Sequence, residues 1–411
     1  MSIIKILIIS NNELSTTDAN GKTLLSIFEN DVFDIKQIYI KKTFKPTSKL
    51  SGSLYIDEKD IIKSVLKIGD LKTSQTNSID NFGLMKKSVF KQCLREFIWL
   101  YSKKQYSLID AWIKNNEFDV VFFMMGDSIF MCNIVLYILK KFNFPLLTYI
   151  TDVYINELNI RSPLEYFFKK LLRKKQAEII EKSSKLYTIS DKMRMFYKEF
   201  CHVDSNILRN IAVTDIIKND NKAHNFVYAG NLYYGRDEVL VLLAKVIKLI
   251  NMQNNTDIYL KIYSNSLLTD VIKNEMKTNN YIFWGGQLSK EELQIEISKN
   301  TYILFVESFK EKYIRKVKYS FSTKITELAL QGKCIVAIAP ENIGSMDDLK
   351  SFAFCINDLN KLELKIRSLL KCDYKLYEEK AINFAKKNYS VENQFTKLRN
   401  DIVDLISNKG D

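Results

Sequence analysis

The chain has 411 residues, of which 46% are hydrophobic and 27% charged, so it is too apolar to stay unfolded and long enough for two cores of roughly 200 residues each. Its net charge of +13 fits either an anionic partner or a surface solubilised by lysine. Nucleic acid is not indicated, because there is no zinc-finger spacing, no RNP-type aromatic motif and no basic stripe with interleaved aromatics.

The first half alternates strand and helix patterns. An apolar strand is expected over 3–9, with no basic region and cleavage site before it. A polar loop over 13–22 and a helix from about Thr23 follow. In that loop Gly21 and the helix start after it would let backbone approach an anion. Gly21-Lys22-Thr23 resembles the end of a P-loop, but Thr16 stands where the first glycine is needed, which excludes that reading. Residues 44–76 carry no readable pattern.

Further strands are expected at 32–40, 120–124, 146–150 and 185–189, with helices at 85–101 and 129–142. The most apolar stretch, 120–150, is interrupted by Gly126, Asp127, Asn133, Lys140, Lys141 and Pro145, short of the roughly 20 apolar residues a membrane span needs. Asp152 follows the strand at 146–150, where a carboxylate would hold a ligand hydroxyl or cap the next helix. Over 161–182, Leu164, Phe167, Phe168, Leu171 and Leu172 run beside Lys169, Lys170, Arg173, Lys174 and Lys175. That pattern fits either a basic amphipathic helix on anionic lipid or interior packing.

After the polar linker 218–222 the alternation restarts, with strands at 225–229, 258–263, 281–284 and 302–306 and helices at 237–250 and 289–299. It predicts a second Rossmann-like domain whose strand-end loops line one crevice. The loop from Gly230 through Asn231 to Arg236 offers close backbone approach and a guanidinium to a diphosphate, or is an ordinary strand-to-helix connection. Over 310–324, Lys310, Lys312, Arg315, Lys316, Lys318 and Lys324 stand against the single acid Glu311; beside the crevice they would offset the charge of a diphosphate, Lys324 foremost, or, for all but Lys324, form a solvated loop. Residues 319–340 read as a hydroxyl-rich turn with Ser320, Ser322 and Thr323 as caps, a short helix bearing Lys324 and Glu327, a stop at Gly332 and a buried strand from Cys334. A phosphate suits such a helix start, and a carboxylate there can accept sugar hydroxyls.

The six cysteines are scattered without a Cys-x-x-Cys pair, as in a reducing compartment, and His202 and His224 make neither a zinc set nor a catalytic triad. A cytoplasmic protein is expected, at most on the inner face of the plasma membrane.

The segment Ser-Thr-Lys-Ile-Thr-Glu-Leu-Ala-Leu-Gln-Gly-Lys-Cys-Ile-Val resembles the donor-binding motif of GT-B glycosyltransferases, most closely the retaining family 4. The resemblance implies an α/β fold of two Rossmann-like domains facing a cleft: 1–215 on the acceptor side, 216–385 binding the nucleotide sugar, and 386–411 a helix returning to the first domain. It implies that Glu327 binds the ribose, and that Ser322, Thr323, Lys324, Arg236, Gly230 and Asn231 hold the diphosphate. The loop from Gly285 through Gly286 to Gln287 would hold the base, Gly21 would add backbone to the donor site, and Glu307 would lie beside it. Arg236, Lys324 and Asp152 would serve the reaction itself.

The family carries a second glutamate where Tyr319 stands and a histidine where Thr151 stands, so those two roles do not transfer. No Asp-x-Asp occurs, unlike metal-dependent GT-A enzymes, so no metal or other cofactor is expected. The implied activity is retaining transfer from a nucleotide sugar, UDP-linked, to a surface glycan or a lipid-linked oligosaccharide of a bacterium. A non-catalytic GT-B subunit and a nucleotide-sugar 2-epimerase are the alternatives.

Overall fold

A computed structural model describes residues 3–15, 19–28, 32–43, 47, 49–66, 89–155, 160, 162–210 and 223–407. The chain divides into two compact units: Met1–Ile189, Met193–Leu208 and Phe395–Asp411 form one, Ser190–Lys192 and Arg209–Gln394 the other. The boundary expected at 215–216 and the linker at 218–222 lie outside the described residues, as do Thr16, Thr17 and Asp18 of the first loop.

In unit 1, β1 (Ile4–Ile9), β2 (Phe33–Tyr39), β3 (Gly52–Tyr55), β4 (Val120–Met125), β5 (Leu146–Ile150), β6 (Lys185–Thr188) and β7 (Asn206–Ile207) form one parallel sheet in the order β3-β2-β1-β4-β5-β6-β7. Every residue of β4 and β5 is buried, as expected of strands covered by helices on both faces. The covering helices are α1 (Ala19–Ile27), α2 (Glu58–Leu66), α3 (Val89–Tyr101), α4 (Lys104–Lys114), α5 (Ile129–Phe142), α6 (Pro163–Glu181) and α7 (Asp191–Cys201), the last entered through residues of unit 2. Helix α1 starts at Ala19 rather than near Thr23, so Gly21 lies in a helical turn and not in an open loop. A Cβ on Gly21 would come within 2.7 Å of the Ser15 nitrogen, so glycine lets the helix start four residues early.

Unit 2 repeats the order: β8 (Ala223–Ala229), β9 (Leu260–Tyr263), β10 (Ile282–Gly286), β11 (Asn300–Val306), β12 (Cys334–Ile338) and β13 (Phe354–Ile356) pair in parallel as β10-β9-β8-β11-β12-β13. Its helices are α8 (Arg236–Asn254), α9 (Asp270–Met276), α10 (Lys290–Ser298), α11 (Glu311–Val317), α12 (Lys324–Leu330), α13 (Gly344–Leu349), α14 (Leu362–Leu369) and α15 (Lys375–Asn388). The run expected as a solvated basic loop is partly helical: α11 buries Ile314 beneath its lysines, an apolar position that the surrounding charge obscures.

The last helix, α16 (Val391–Ser407), packs on unit 1 from Phe395 onward. Phe395 lies 5.3 Å from Phe33, ring to ring, and Asp401 accepts from the Tyr187 hydroxyl at 2.6 Å and pairs with Lys185 at 3.1 Å.

Candidate functional site

In each sheet the strand order reverses at its middle, between β1 and β4 and between β8 and β11. Crossovers leaving in opposite directions open a crevice at the carboxyl ends there. In unit 2 that crevice is a cavity of about 200 Å³, walled by the ends of β8 and β11 and by the start of α12. It brings together Gly230, Asn231, Arg236, Glu307, Ser322, Lys324 and Glu327, seven of the residues singled out from the sequence. Thr323, Gly286 and Gln287 do not line it. Gly286 ends β10 with a φ of 64°, at a register shift in the edge strand, and Gln287 beside it is exposed.

Arg236 opens α8 and reaches across to the end of β11. Its Nε and Nη2 donate to the two Glu307 carboxylate oxygens at 2.9 and 2.6 Å, and Nη1 donates to the Asn231 side-chain oxygen. The fork expected to grip a diphosphate is thus held by a buried carboxylate. A guanidinium carries five N–H donors, so two remain without a protein acceptor among the described residues. Burial pushes the Glu307 carboxyl up and Arg236 opposes that, while Glu307 keeps Arg236 firmly protonated despite its own burial.

Beneath the loop, the Tyr228 hydroxyl donates to the Asn231 carbonyl at 2.5 Å, and a Cβ on Gly230 would fall 2.8 Å from that hydroxyl oxygen. Burial raises the Tyr228 phenol, so it stays neutral as a donor.

Helix α12 presents the other wall. The Thr323 side chain makes no capping bond, contrary to the expected hydroxyl cap, and ahead of it the Ser322 N–H donates to the Ser345 hydroxyl of α13 at 3.0 Å. Gly332, with a φ of 61°, closes the helix: its N–H meets the Ala329 carbonyl at 3.0 Å and the Lys333 N–H meets that of Leu328 at 3.1 Å. The exposed Lys324 ammonium donates to the Ala229 carbonyl at 2.8 Å, tying the helix start to β8. One turn on, Glu327 is exposed, and its carboxylate receives no protein hydrogen bond among the described residues.

Unit 1 carries a smaller cavity of about 30 Å³ at its own reversal point, lined by Ser10, Asn11, Gly21, Gly126, Thr151 and Tyr154 among others. Asp152 is not in its lining. Its carboxylate accepts the Val153 N–H at 2.8 Å and caps no helix; Ser162 caps α6 instead, accepting the Glu165 N–H at 3.2 Å. Desolvation raises the Asp152 carboxyl, with Asp127 adding to the shift. Among the described residues no group of three or more His, Cys, Asp and Glu is placed to hold a metal ion. No helix among them is long and apolar enough to cross a membrane.

No family model matches the sequence, and no curated protein does. Solved structures do match. The N-terminal domain of the Candida albicans trehalose-6-phosphate phosphatase aligns with a TM-score of 0.63 and 11% identity over 98% of this chain and 97% of that one. Sucrose-phosphate synthase from Thermosynechococcus elongatus gives 0.63 and 9% over 98% and 99%. The E. coli trehalose-6-phosphate protein bound with UDP-2-fluoro glucose gives 0.62 and 10% over 97% and 98%. At such identities the likeness establishes the architecture: this chain has the GT-B fold, with two Rossmann-type units in one polypeptide.

Proposed function

We propose that this chain is a glycosyltransferase that moves a sugar from a nucleotide-sugar donor, UDP-linked, to a hydroxyl of a surface glycan or lipid-linked oligosaccharide, with retention and without a metal ion. The observation that carries the reading is the unit 2 cavity, where Glu327 presents an unengaged carboxylate one helical turn from Lys324 and opposite the Arg236 loop. Glu327 would accept the ribose hydroxyls, and Lys324 with the two remaining Arg236 N–H donors would hold the diphosphate. The likeness to a structure with a bound UDP-sugar analogue supports the choice of nucleotide.

In the retaining reaction that the motif resemblance implies, the bond from the anomeric carbon to the phosphate oxygen breaks. The acceptor oxygen then bonds the same face, and its proton passes to the departing phosphate. Lys324 and Arg236 would stabilise the charge that builds on that phosphate. The exposed Asp152 would hold an acceptor hydroxyl. Outward on α6, exposed Leu164, Phe167 and Leu171 beside Lys170 and Lys174 would rest on an anionic bilayer, while Phe168 and Leu172 serve the core.

Calorimetric titration of UDP, GDP and ADP into the wild type and the Glu327→Ala and Lys324→Ala variants tests the donor site. UDP binding weakened about tenfold or more by each substitution is the expected result, the loss of one or two charge-assisted bonds. A second reading, a non-catalytic GT-B subunit, is favoured by Tyr319 in place of an acid and by the Glu307 hold on Arg236. Absence of binding to all three nucleotides, together with no donor hydrolysis, would favour that reading instead.

A further inference from the structure

Beside the donor cavity lies a second set of groups that the proposed reaction does not use. Of the basic residues over 310–318, Lys310 pairs with Glu238 at 2.6 Å and Arg315 with Glu311 at 3.0 Å. Lys312, Lys316 and Lys318 have no carboxylate partner among the described residues, and each sits over a tyrosine ring. Lys312 is 4.6 Å from the Tyr313 ring, Lys316 is 4.6 Å from Tyr234 and 5.9 Å from Tyr313, and Lys318 is 5.3 Å from Tyr319. A lysine over an aromatic face keeps its charge and its N–H donors while its motion is restricted.

The surface is built in advance. Tyr234 has a φ of 64°, a left-handed conformation that an L side chain adopts at a cost, and Gly235 follows at 74°. A Cβ on Gly235 would lie 2.9 Å from the Tyr313 ring and 3.0 Å from the Ser308 hydroxyl, so only glycine lets this loop press against α11. That contact brings the Tyr234 and Tyr313 rings to 6.0 Å, with Arg236 5.9 Å from Tyr234 on the cavity side. Tyr233 and Tyr234 remain exposed.

We propose that Tyr234, Lys312, Tyr313 and Lys316, extended by Lys318 and Tyr319, form a binding surface for an acidic glycan, with tyrosine faces against sugar rings and lysines on its phosphate or carboxylate groups. The reading rests on the glycosyltransferase proposal for the choice of glycan, and places an acidic acceptor or product chain next to the donor cavity. Sugar rings offer apolar C–H faces that suit aromatic side chains, and restricted ammonium groups without acids are matched by regularly spaced anions.

The test is binding of full-length protein to hexagalacturonate, a phosphomannan oligosaccharide, neutral maltohexaose and a dT12 strand at low and high salt, with UDP titrated in parallel. Expected is salt-sensitive binding of an acidic oligosaccharide, with maltohexaose at least tenfold weaker. The Lys312→Gln/Lys316→Gln double variant should lose that binding roughly tenfold while keeping its UDP affinity and melting temperature. The two acidic probes separate carboxylate from phosphate recognition.

Equal binding of maltohexaose, or no response to the double variant, would overturn the proposal. So would preferential binding of dT12, which would assign the surface to nucleic acid. Loss of UDP binding in the double variant would overturn it by making the lysines donor ligands. If the wild type fails to bind UDP but binds an acidic glycan through these lysines, the donor reading falls and this one stands.

Discussion

Glu96 holds two helices of unit 1 together through one carboxylate. Projecting from α3, it accepts the Ile129 and Phe130 N–H groups at 2.9 and 2.7 Å and so satisfies the start of α5, whose own cap residue Ser128 makes no side-chain capping bond and instead accepts from the Asn11 amide at 3.3 Å. Burial pushes its carboxyl up to about 7; the two N–H bonds and Arg95 oppose that, and Asp127 adds to it. A carboxyl raised in the folded state binds its proton more tightly there than when unfolded. Its contribution therefore favours folding at low pH and is lost as pH rises from about 4.5 towards 7. The expected outcome is that the stability difference between Glu96→Gln and wild type changes by about 2–3 kcal/mol between pH 7.5 and pH 5, the wild type gaining on acidification. Urea unfolding at both pH values measures it, and a constant difference would refute the linkage.

The Arg236–Glu307 pair belongs to the same scale, with side chains 14% and 8% exposed. Breaking a buried pair leaves one charge uncompensated, so Glu307→Ala should cost ~3 kcal/mol in unfolding free energy, and replacing both residues by apolar ones should cost less than the two single losses summed. A double-mutant cycle in urea decides, with additivity as the contrary outcome. Neither partner reveals the pair in the sequence, because 71 positions separate them. Each was legible as a candidate near the donor; their engagement with one another was not, since it depends on where β11 ends relative to the start of α8.

At the scale of the element, α6 shows why a helical stripe read from sequence is ambiguous. Phe168, Leu172, Ile179 and Ile180 face the core, yet Phe167 is 65% exposed and Tyr166 51%. The amphipathic pattern expected over 161–182 is thus divided between packing and an outward face, which periodicity cannot apportion. Lys169 and Lys175 are engaged with Glu165 and Glu178 at 3.6 and 2.9 Å, so the outward charge comes from Lys170, Lys174 and their neighbours. Sedimentation with phosphatidylglycerol vesicles should carry wild-type protein down at low salt, and Phe167→Glu/Leu171→Glu should leave it in solution. Equal sedimentation of the two would remove α6 from the membrane proposal. The short element α11 went unread because Ile314 is its one buried position and lysines surround it; β3 and α2 fell in 44–76, where no period stands out.

Over the whole molecule, the last helix is expected to stabilise the unit it is most distant from in sequence. Deleting 395–411 uncovers Phe33 and removes the Asp401 acceptor from the buried Tyr187, whose hydroxyl then lacks a partner. Hydrogen exchange should therefore speed up in β6 and β2 while β8, β11 and β12 keep their protection. Uniform loss across both sheets would instead show that the two units unfold as one.

Much of this architecture was determined by sequence alone. Runs such as Val120–Met125 and Cys334–Ile338, apolar throughout and separated by helical patterns, specify parallel strands covered on both faces, and two such series specify two sheets. The same local reading places glycines, hydroxyls, Lys324 and Glu327 at strand ends and a helix start, where ligand groups belong, because these preferences are set by a residue's near neighbours. Tertiary structure alone decided which of them meet. The reversal of strand order beside β8 brings Gly230, Arg236, Glu307 and Glu327 to one cavity and leaves Gly286 and Gln287 outside it, and the turn at Tyr234-Gly235 sets two rings under one lysine. Those outcomes depend on distances between segments many tens of residues apart, which side-chain packing fixes and local pattern does not encode.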